Sequence, residues 1–278
     1  MGSAMVVLQV LLALSVTALL FGTLRLISIL PAYRGPPRPR KRGDPAHLLI
    51  VLGSGGHTAE MLSMLRNAIW PRKAVQSNGD KDKASATLNW RRYTHRTWVV
   101  SSGDAFSAAR AREFEEEAAA RYGGKEVGTW TIVMVPRARR IHQSLLTTPV
   151  SALNCLWECL QLLCLPERNA VSKGAKGSKD VDGLEIRTAR DSYPDLILTN
   201  GPATATIVVL ASLILRFFNM DQCNTRGKMR TVYVESWARV KKLSLSGKLL
   251  CQVVDRFLVQ WEQLDGVGGR GEYLGVLV

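Results

Sequence analysis

The stretch HLLIVLGSGGHTAEML, residues 47–62, decides the fold class of this chain. It opens with a run of apolar residues, passes through a glycine-rich turn and continues into residues that favour a helix. A buried strand followed by a turn and a helix is the repeating unit of α/β proteins with a parallel sheet. Glycines allow the tight bend, and the helix start that follows offers backbone N–H groups to an anion.

Further strand patterns follow the first strand, His47–Leu52, with helix-forming or polar stretches between them. They are Thr97–Ser101, Thr129–Val135, Pro194–Thr199, Thr231–Glu235 and Arg256–Trp261. We therefore predict an α/β fold, with a Rossmann-like, doubly wound parallel sheet over residues 47–278. Polar insertions near 71–95 and 167–192 interrupt the pattern. In such sheets the ligand binds beyond the carboxyl ends of the strands.

Residues 4–30 are predicted to form a transmembrane anchor. The stretch carries no charge as far as Leu24, and about 20 apolar residues suffice to cross a bilayer core. The basic, proline-rich residues 31–46 follow as a tether, and the positive-inside rule places the tether and the domain in the cytosol. A cleaved signal peptide is the alternative, but it needs a basic segment before its apolar core, and the residues before this run are uncharged.

The formal net charge of +14 indicates an anionic partner: nucleic acid, an anionic membrane surface or a phosphate-bearing substrate. Aromatic residues make up only 7% of the chain and no basic stretch is interleaved with them, so we expect no nucleic-acid partner. The histidines and cysteines lack the spacing of zinc ligands. We expect neither a metal nor a cofactor.

Two glycine turns predict an anion site at one edge of the sheet. GSGGH, Gly53–His57, follows the first strand, and NGPATA, Asn200–Ala205, follows the fourth. PRARR, Pro136–Arg140, closes the third strand with arginines, which bind phosphate well. The candidate anion-binding residues are Ser54, Gly55, Gly56, His57, Arg137, Arg140, Asn200 and Gly201. Each motif also has a purely structural interpretation, as a tight turn, a strand-to-helix connection or a solvated basic turn.

Polar residues after the second and fifth strands are candidates for contacting sugar hydroxyls. They are Asp104, Ser107, Glu235 and Ser236. Asp104 is also placed to cap the next helix. For a general base we consider His57 first and Glu235 as its rival, although a histidine that only caps a helix fits the sequence equally well.

The apolar stretch Val150–Leu165 carries a single charge, Glu158, and is short for a second span. The sequence leaves two interpretations open, a helix of the core or a helix at the membrane surface.

Several motifs, taken in order, resemble a known family. They are GSGGHTAEML, PRARRIHQS, NGPATA, VYVESWARVKKLSLSGKLL, DRFLVQW and the final YLGVLV. Together they resemble the membrane-anchor subunit of the eukaryotic UDP-N-acetylglucosamine transferase of dolichol-linked oligosaccharide synthesis. The resemblance covers residues 47–278 apart from the two polar insertions.

The resemblance implies the acceptor-side half of a split GT-B glycosyltransferase. A small cytosolic catalytic subunit would bind UDP-N-acetylglucosamine, so this chain alone is expected to be inactive. The acceptor would be N-acetylglucosamine-diphospho-dolichol at the cytosolic face of the endoplasmic reticulum, with a single-pass anchor, and the preceding GlcNAc-phosphate transferase is a further expected partner. The tail expected to dock on the catalytic subunit is Tyr273, Leu274, Gly275, Val276, Leu277 and Val278.

Two residues depart from the family pattern. Ala203 stands where the family often has glycine, and Glu262 follows Trp261 where proline is usual. Two other functions remain open. A membrane-anchored nicotinamide-dependent oxidoreductase would need an acidic ribose-binding residue near Asp104. A recruitment scaffold would not touch the substrate at all.

Overall fold

The computed structural model describes residues 2–36, 44–70, 88–123, 127–139, 143–144, 146–164, 193–201 and 203–278. The helices are α1 (Gly2–Ile29), α2 (Gly56–Ile69), α3 (Ala105–Tyr122), α4 (Thr148–Cys164), α5 (Thr204–Phe218) and α6 (Leu245–Leu250). The strands are β1 (His47–Val51), β2 (His95–Ser101), β3 (Thr129–Val135), β4 (Leu196–Asn200), β5 (Arg230–Val234), β6 (Arg256–Val259) and β7 (Gly271–Tyr273). The second predicted insertion, 167–192, lies outside the described residues.

The strands form one parallel sheet in the order β3-β2-β1-β4-β5-β6-β7, which confirms the predicted α/β fold. The chain winds outward from β1 in one direction and then from β4 in the other, so the switch point lies between β1 and β4. Side chains of β1 alternate between two cores. Leu48 and Ile50 pack on the side of α2 and α3, whereas Leu49 and Val51 pack on the side of α4, α5 and α6.

The structure differs from the predicted strands in two places. A seventh strand, β7, was not predicted, because Gly271–Tyr273 is too short to show an alternating pattern. Residues 88–95, which the sequence assigns to the first polar insertion, belong to the packed domain. Trp90 is fully buried there and meets Phe114 at a ring distance of 5.5 Å. The rest of that insertion, 71–87, is outside the described residues.

Helix α1 is long and apolar enough to cross a membrane, and its side chains are exposed along most of its length. Only its last turns touch the domain. Arg25 donates hydrogen bonds of 2.8 Å to the carbonyls of Arg216 and Phe217, at the end of α5. A cation is favourable at these carbonyls, which lie in the last turn of α5 and carry the negative end of the helix dipole. Ile29, where α1 ends, is fully buried.

A buried cluster around Asp255 fixes the tether to the sheet. The carboxylate lies 3.0 Å from Arg34 of the tether, 2.9 Å from Arg230 of β5 and 3.8 Å from Arg216 of α5. It also accepts a 2.9 Å hydrogen bond from the backbone of Thr231. Burial acts to raise the pKa of Asp255, but the arginines and the Thr231 N–H outweigh it and lower the pKa below its usual value. Desolvation lowers the pKa of Arg216 to about 10.

We expect Asp255→Asn to destabilise the fold by about 3–5 kcal/mol, because it leaves buried arginines without a counter-charge. The lowered pKa of Asp255 means that this stabilisation is complete above the unfolded-state pKa and is lost as the pH falls through the folded-state pKa. Thermal unfolding of the full chain in detergent, followed by tryptophan fluorescence between neutral and acidic pH, measures both effects.

The matched control is Glu272→Gln. Its partner is Arg256, and the two side chains are 39% and 51% exposed, so this pair is worth about 0–1 kcal/mol. Similar, small shifts in melting temperature for both variants would contradict the role assigned to the Asp255 cluster.

Candidate functional site

The loop between β1 and α2 presents an open helix start. Gly55 is the residue before α2, with φ of 62°, and no side chain caps the helix there. Ser54, Gly55 and Gly56 are all exposed. Free N–H groups and the positive end of the helix dipole therefore face solvent at this point, which is an arrangement that binds phosphate.

A second helix start without a side-chain cap lies beside the first, after β4. Ala203, with φ of 49°, precedes α5, and here too no side chain caps the helix. The two turns are joined directly, because the Asn200 side chain donates a 2.8 Å hydrogen bond to the carbonyl of His57. The other amide atom of Asn200, Oδ1, is buried and has no partner among the described residues. Both turns lie at the switch point of the sheet, where α/β proteins commonly bind their ligands.

Glycines let the two turns approach each other. A Cβ atom on Gly201, where φ is 78°, would lie 2.9 Å from Cγ of His57. A Cβ on Gly53 would lie 2.7 Å from Cβ of His57. The imidazole of His57 is therefore held between two positions that tolerate no side chain.

Glu60, which the sequence analysis did not single out, connects His57 to the end of β5. His57 Nδ1 and Glu60 Oε2 are 3.4 Å apart, and Glu60 Oε1 accepts a 2.8 Å hydrogen bond from Ser236 Oγ. The only signal in the sequence is the spacing of three residues, which places both side chains on one face of the first turn of α2. A carboxylate at Nδ1 favours the tautomer that leaves Nε2 free to accept a proton.

Glu235 is buried and its carboxylate is fully engaged in holding the loop between β5 and α6. Oε1 accepts the N–H of Ser236 at 3.1 Å, and Oε2 accepts the N–H and the hydroxyl of Ser244 at 3.1 and 3.0 Å. A Cβ on Gly247 would overlap this carboxylate. These contacts hold the Glu235 carboxylate inside the loop and leave it poorly placed to exchange a proton with a substrate.

Asp104 and Ser107 have a structural role at the start of α3. Asp104 caps the helix by accepting the N–H of Ser107 at 3.0 Å and its hydroxyl at 2.8 Å. The hydroxyl of Ser107 also lies 2.6 Å from that of Thr58 in α2. Both residues are buried. The structure confirms the predicted cap, and it engages these side chains within the start of α3 and its contact with α2.

Comparison with known proteins identifies the family of this chain. The family model described as "Oligosaccharide biosynthesis protein Alg14 like" matches residues 83–277. The chain is 42% identical over 225 residues to an Aspergillus fumigatus protein named UDP-N-acetylglucosamine transferase subunit alg14, covering 67% of this chain and 93% of the relative. The chain belongs to the Alg14 family.

Two further Alg14 relatives match over most of their length. The protein of the same name from Schizosaccharomyces pombe is 33% identical over 238 residues, with 86% of each chain covered. The human protein is 29% identical over 274 residues, covering 99% of this chain and all of the relative. No solved structure matches.

In this member of the Alg14 family, Arg137 and the tail contact other parts of the domain. Arg137, after β3, donates a 3.0 Å hydrogen bond to the carbonyl of Ser102. Arg140 falls outside the described residues. In the tail, the carbonyl of Leu277 accepts a 3.1 Å hydrogen bond from Asn67 of α2. The exposed apolar tail residues are Tyr273, Leu274, Val276 and Val278.

We expect Gly201→Ala to displace His57. Alanine at a positive φ costs about 1–2 kcal/mol in any position, and here the new methyl group also collides with the imidazole. Amide hydrogen exchange of the full chain should become faster in the peptide that contains residues 53–62.

Gly227→Ala is the matched control, since φ is 72° at that position and nothing lies within 4 Å of the added Cβ. It should leave exchange in residues 53–62 unchanged. Equal exchange of that peptide in both variants would show that the two turns are not in contact.

Proposed function

We propose that this chain is the membrane-anchored, acceptor-side subunit of a UDP-N-acetylglucosamine transferase. It would bind N-acetylglucosamine-diphospho-dolichol at the cytosolic face of the endoplasmic reticulum, for addition of the second N-acetylglucosamine. The observation that carries the proposal is the pair of uncapped helix starts at one edge of the sheet, joined by Asn200 and His57. The names of the relatives support the same activity.

A diphosphate suits this edge because it offers two anionic groups to two adjacent helix starts. Backbone N–H groups at Ser54, Gly55 and Gly56 would bind one phosphate, and the start of α5 would bind the other. Arg137 and Arg140 are the arginines assigned to the same diphosphate. Asn200 Oδ1, buried without a protein partner, is left to accept a hydrogen bond from the acceptor or from water.

The chain would act as half of an enzyme. The described residues form one doubly wound sheet with its ligand edge open, whereas GT-B transfer takes place between two facing domains. We assign the second domain to a small cytosolic subunit that binds UDP-N-acetylglucosamine. The preceding GlcNAc-phosphate transferase is the expected source of the acceptor at the same membrane.

In the proposed reaction, the 4-hydroxyl of the acceptor sugar attacks the anomeric carbon of the donor. The bond from that carbon to the diphosphate oxygen breaks, UDP leaves and the configuration inverts. His57 Nε2 would take the proton of the hydroxyl, and Glu60 would hold the ring and stabilise its charged form. Ser236 and Glu235 would keep Glu60 in place from the opposite side.

Replacing the proposed base gives the first test. We expect His57→Ala to lower kcat of the complex, reconstituted with its catalytic subunit, by about 10²–10⁴-fold without lowering the melting temperature. Glu60→Gln should lower kcat less, because the imidazole stays in place but loses the carboxylate that orients it. Glu235→Ala should lower activity together with the melting temperature.

Glu113→Gln, which removes an exposed partner of Arg110 on α3, is the matched carboxylate control and should change nothing. Near-normal turnover of the His57→Ala complex would remove His57 as the base. A full loss of activity in Glu235→Ala with no loss of stability would restore Glu235 as the candidate. Normal turnover after mutation of the whole glycine loop, Gly53–His57, would favour the scaffold hypothesis.

The tail gives the second test. We expect deletion of residues 274–278, which leaves β7 intact, to abolish copurification of the catalytic subunit, because Leu274 and Val276 are 55% and 52% exposed. Leu277→Ala is the matched control, since Leu277 packs on the chain's own domain. Undiminished copurification after the deletion would contradict docking by the tail.

The oxidoreductase alternative loses its main support in the structure. It requires an acidic side chain free to bind a ribose at the end of β2. Asp104 is the acid at that position, and both of its carboxylate oxygens bind Ser107 within the cap of α3.

A further inference from the structure

The two helical layers of the domain have opposite surfaces. The layer of α4, α5 and α6 carries large exposed apolar side chains on every helix. They are Val150, Leu153 and Trp157 on α4, Leu210 and Phe218 on α5, and Leu245 and Leu249 on α6. On the other side of the sheet, Phe106 is the one large apolar side chain of α2 and α3 that is exposed. The outer surface there includes the ion pairs of Glu113 and Glu117.

Helix α4 is apolar on two opposite faces. Cys155, Cys159 and Leu162 are buried against the core. Leu153 and Trp157 point the other way and are 64% and 61% exposed. A helix that needed only to cover the sheet would carry polar residues on its outer face.

Helix α5 is apolar almost all round. Leu210 is 40% exposed on its outer face, Phe218 is 69% exposed at its end, and its first charge is Arg216, in the last turn. A helix that is apolar all round is normally surrounded by protein or by lipid. Here it lies in the outer layer, between α4 and α6.

Lipid is the cover that the neighbouring elements indicate. The membrane-spanning helix α1 joins this layer, because Arg25 bonds the last carbonyls of α5. Basic side chains border the layer at the carboxyl edge of the sheet, as they do in helices that lie at an anionic membrane surface. The exposed basic residues there are Arg139, Arg239, Lys241, Lys242 and Lys248.

The attachment point of α1 supplies an independent argument, which rests on the proposed function. Arg25 binds the far end of α5, at the amino edge of the sheet, whereas the glycine turns lie at the carboxyl edge. The length of α5 separates the two, about 22 Å at 1.5 Å per residue. A domain standing upright on its anchor would hold the diphosphate site that far from the head groups, whereas a domain lying on α4, α5 and α6 would bring it to their level.

We propose that the outer face of α4, α5 and α6 lies in the head-group region of the membrane, so that the sheet is roughly parallel to the bilayer. The apolar side chains then enter the lipid, the bordering arginines and lysines meet anionic head groups, and the two glycine turns open sideways at the level of the acceptor diphosphate. The chain still crosses the membrane once, through α1.

Nitroxide labels at single cysteines test the proposal in the full chain with its catalytic subunit. Leu153→Cys and Leu249→Cys place labels on the proposed face, and Phe106→Cys is the matched apolar site on the opposite layer. Cys164→Ser removes the one exposed cysteine among the described residues. The complex is reconstituted in phosphatidylcholine vesicles with and without phosphatidylserine, and accessibility to oxygen and to a water-soluble nickel chelate is compared at each label.

We expect labels at 153 and 249 to be accessible to oxygen and protected from the nickel chelate, more so with phosphatidylserine, and the label at 106 to show the reverse. Labels at 153 and 249 that are as open to the chelate as the one at 106 would overturn the proposal. So would labels at 153 and 249 that are protected from both reagents, because protein would then cover the face.

A transfer assay separates this inference from the proposed function. Leu153→Asp with Trp157→Asp should slow transfer to a long-chain acceptor embedded in vesicles and spare transfer to a short, water-soluble acceptor. Equal loss with both acceptors would contradict a membrane role for the face. Lipid-exposed labels in a complex that transfers no sugar would leave the face in place and remove the proposed function instead.

Discussion

The hydrogen bond from the Asn200 side chain to the carbonyl of His57 is the contact on which the site depends. It joins the turn after β4 to the turn after β1, and these strands are neighbours at the switch point of the sheet. The contact requires glycine at positions 53 and 201, because a side chain at either one would displace His57. This contact holds two helix starts side by side, and no Ser, Thr, Asp or Asn side chain caps either of them. Their uncapped N–H groups are a cost in an unliganded protein and a binding site for an anion.

The two edges of the sheet have different roles. At the carboxyl edge, His57, Glu60, Ser236 and Glu235 form a chain of polar contacts that ends in a buried carboxylate and positions the imidazole. At the amino edge, Asp255 binds arginines from the tether, α5 and β5, and so fixes where the segment that follows α1 meets the domain. Helix α1 is therefore not attached only through the chain. Its last turns are hydrogen-bonded to α5, and the other end of α5 forms part of the site.

The fold could be predicted from local patterns because each of the long strands is an apolar run bounded by a turn. Strand β7 could not be predicted in this way, since three residues beginning with glycine carry no pattern of their own. They pair only because β6 is already in place. Trp90 was assigned to a polar insertion for a similar reason. Its neighbours in sequence are basic, and only the fold brings it against Trp98 and Phe114.

The glycine turns were found from sequence because backbone geometry restricts them to few residue types. The roles of the acidic residues could not be found from sequence, because a carboxylate at the end of a strand can face either a ligand or its own loop. Asp104 and Glu235 both turn inward, the first as a helix cap and the second as the centre of a loop. Glu60 was overlooked because its importance comes from Ser236, which is far away in the chain and adjacent in the fold.

Acceptor binding by the full chain with its catalytic subunit, in nanodiscs, tests the central claim most directly. Titration with a prenyl-diphosphate-linked N-acetylglucosamine is compared with the monophosphate-linked and the uncharged prenyl-linked sugars. Two adjacent helix starts predict the tightest binding for the diphosphate, and a loss of that preference when Asn200 is replaced by alanine. Equal affinity for all three compounds, or a preference that survives Asn200→Ala, would contradict the account.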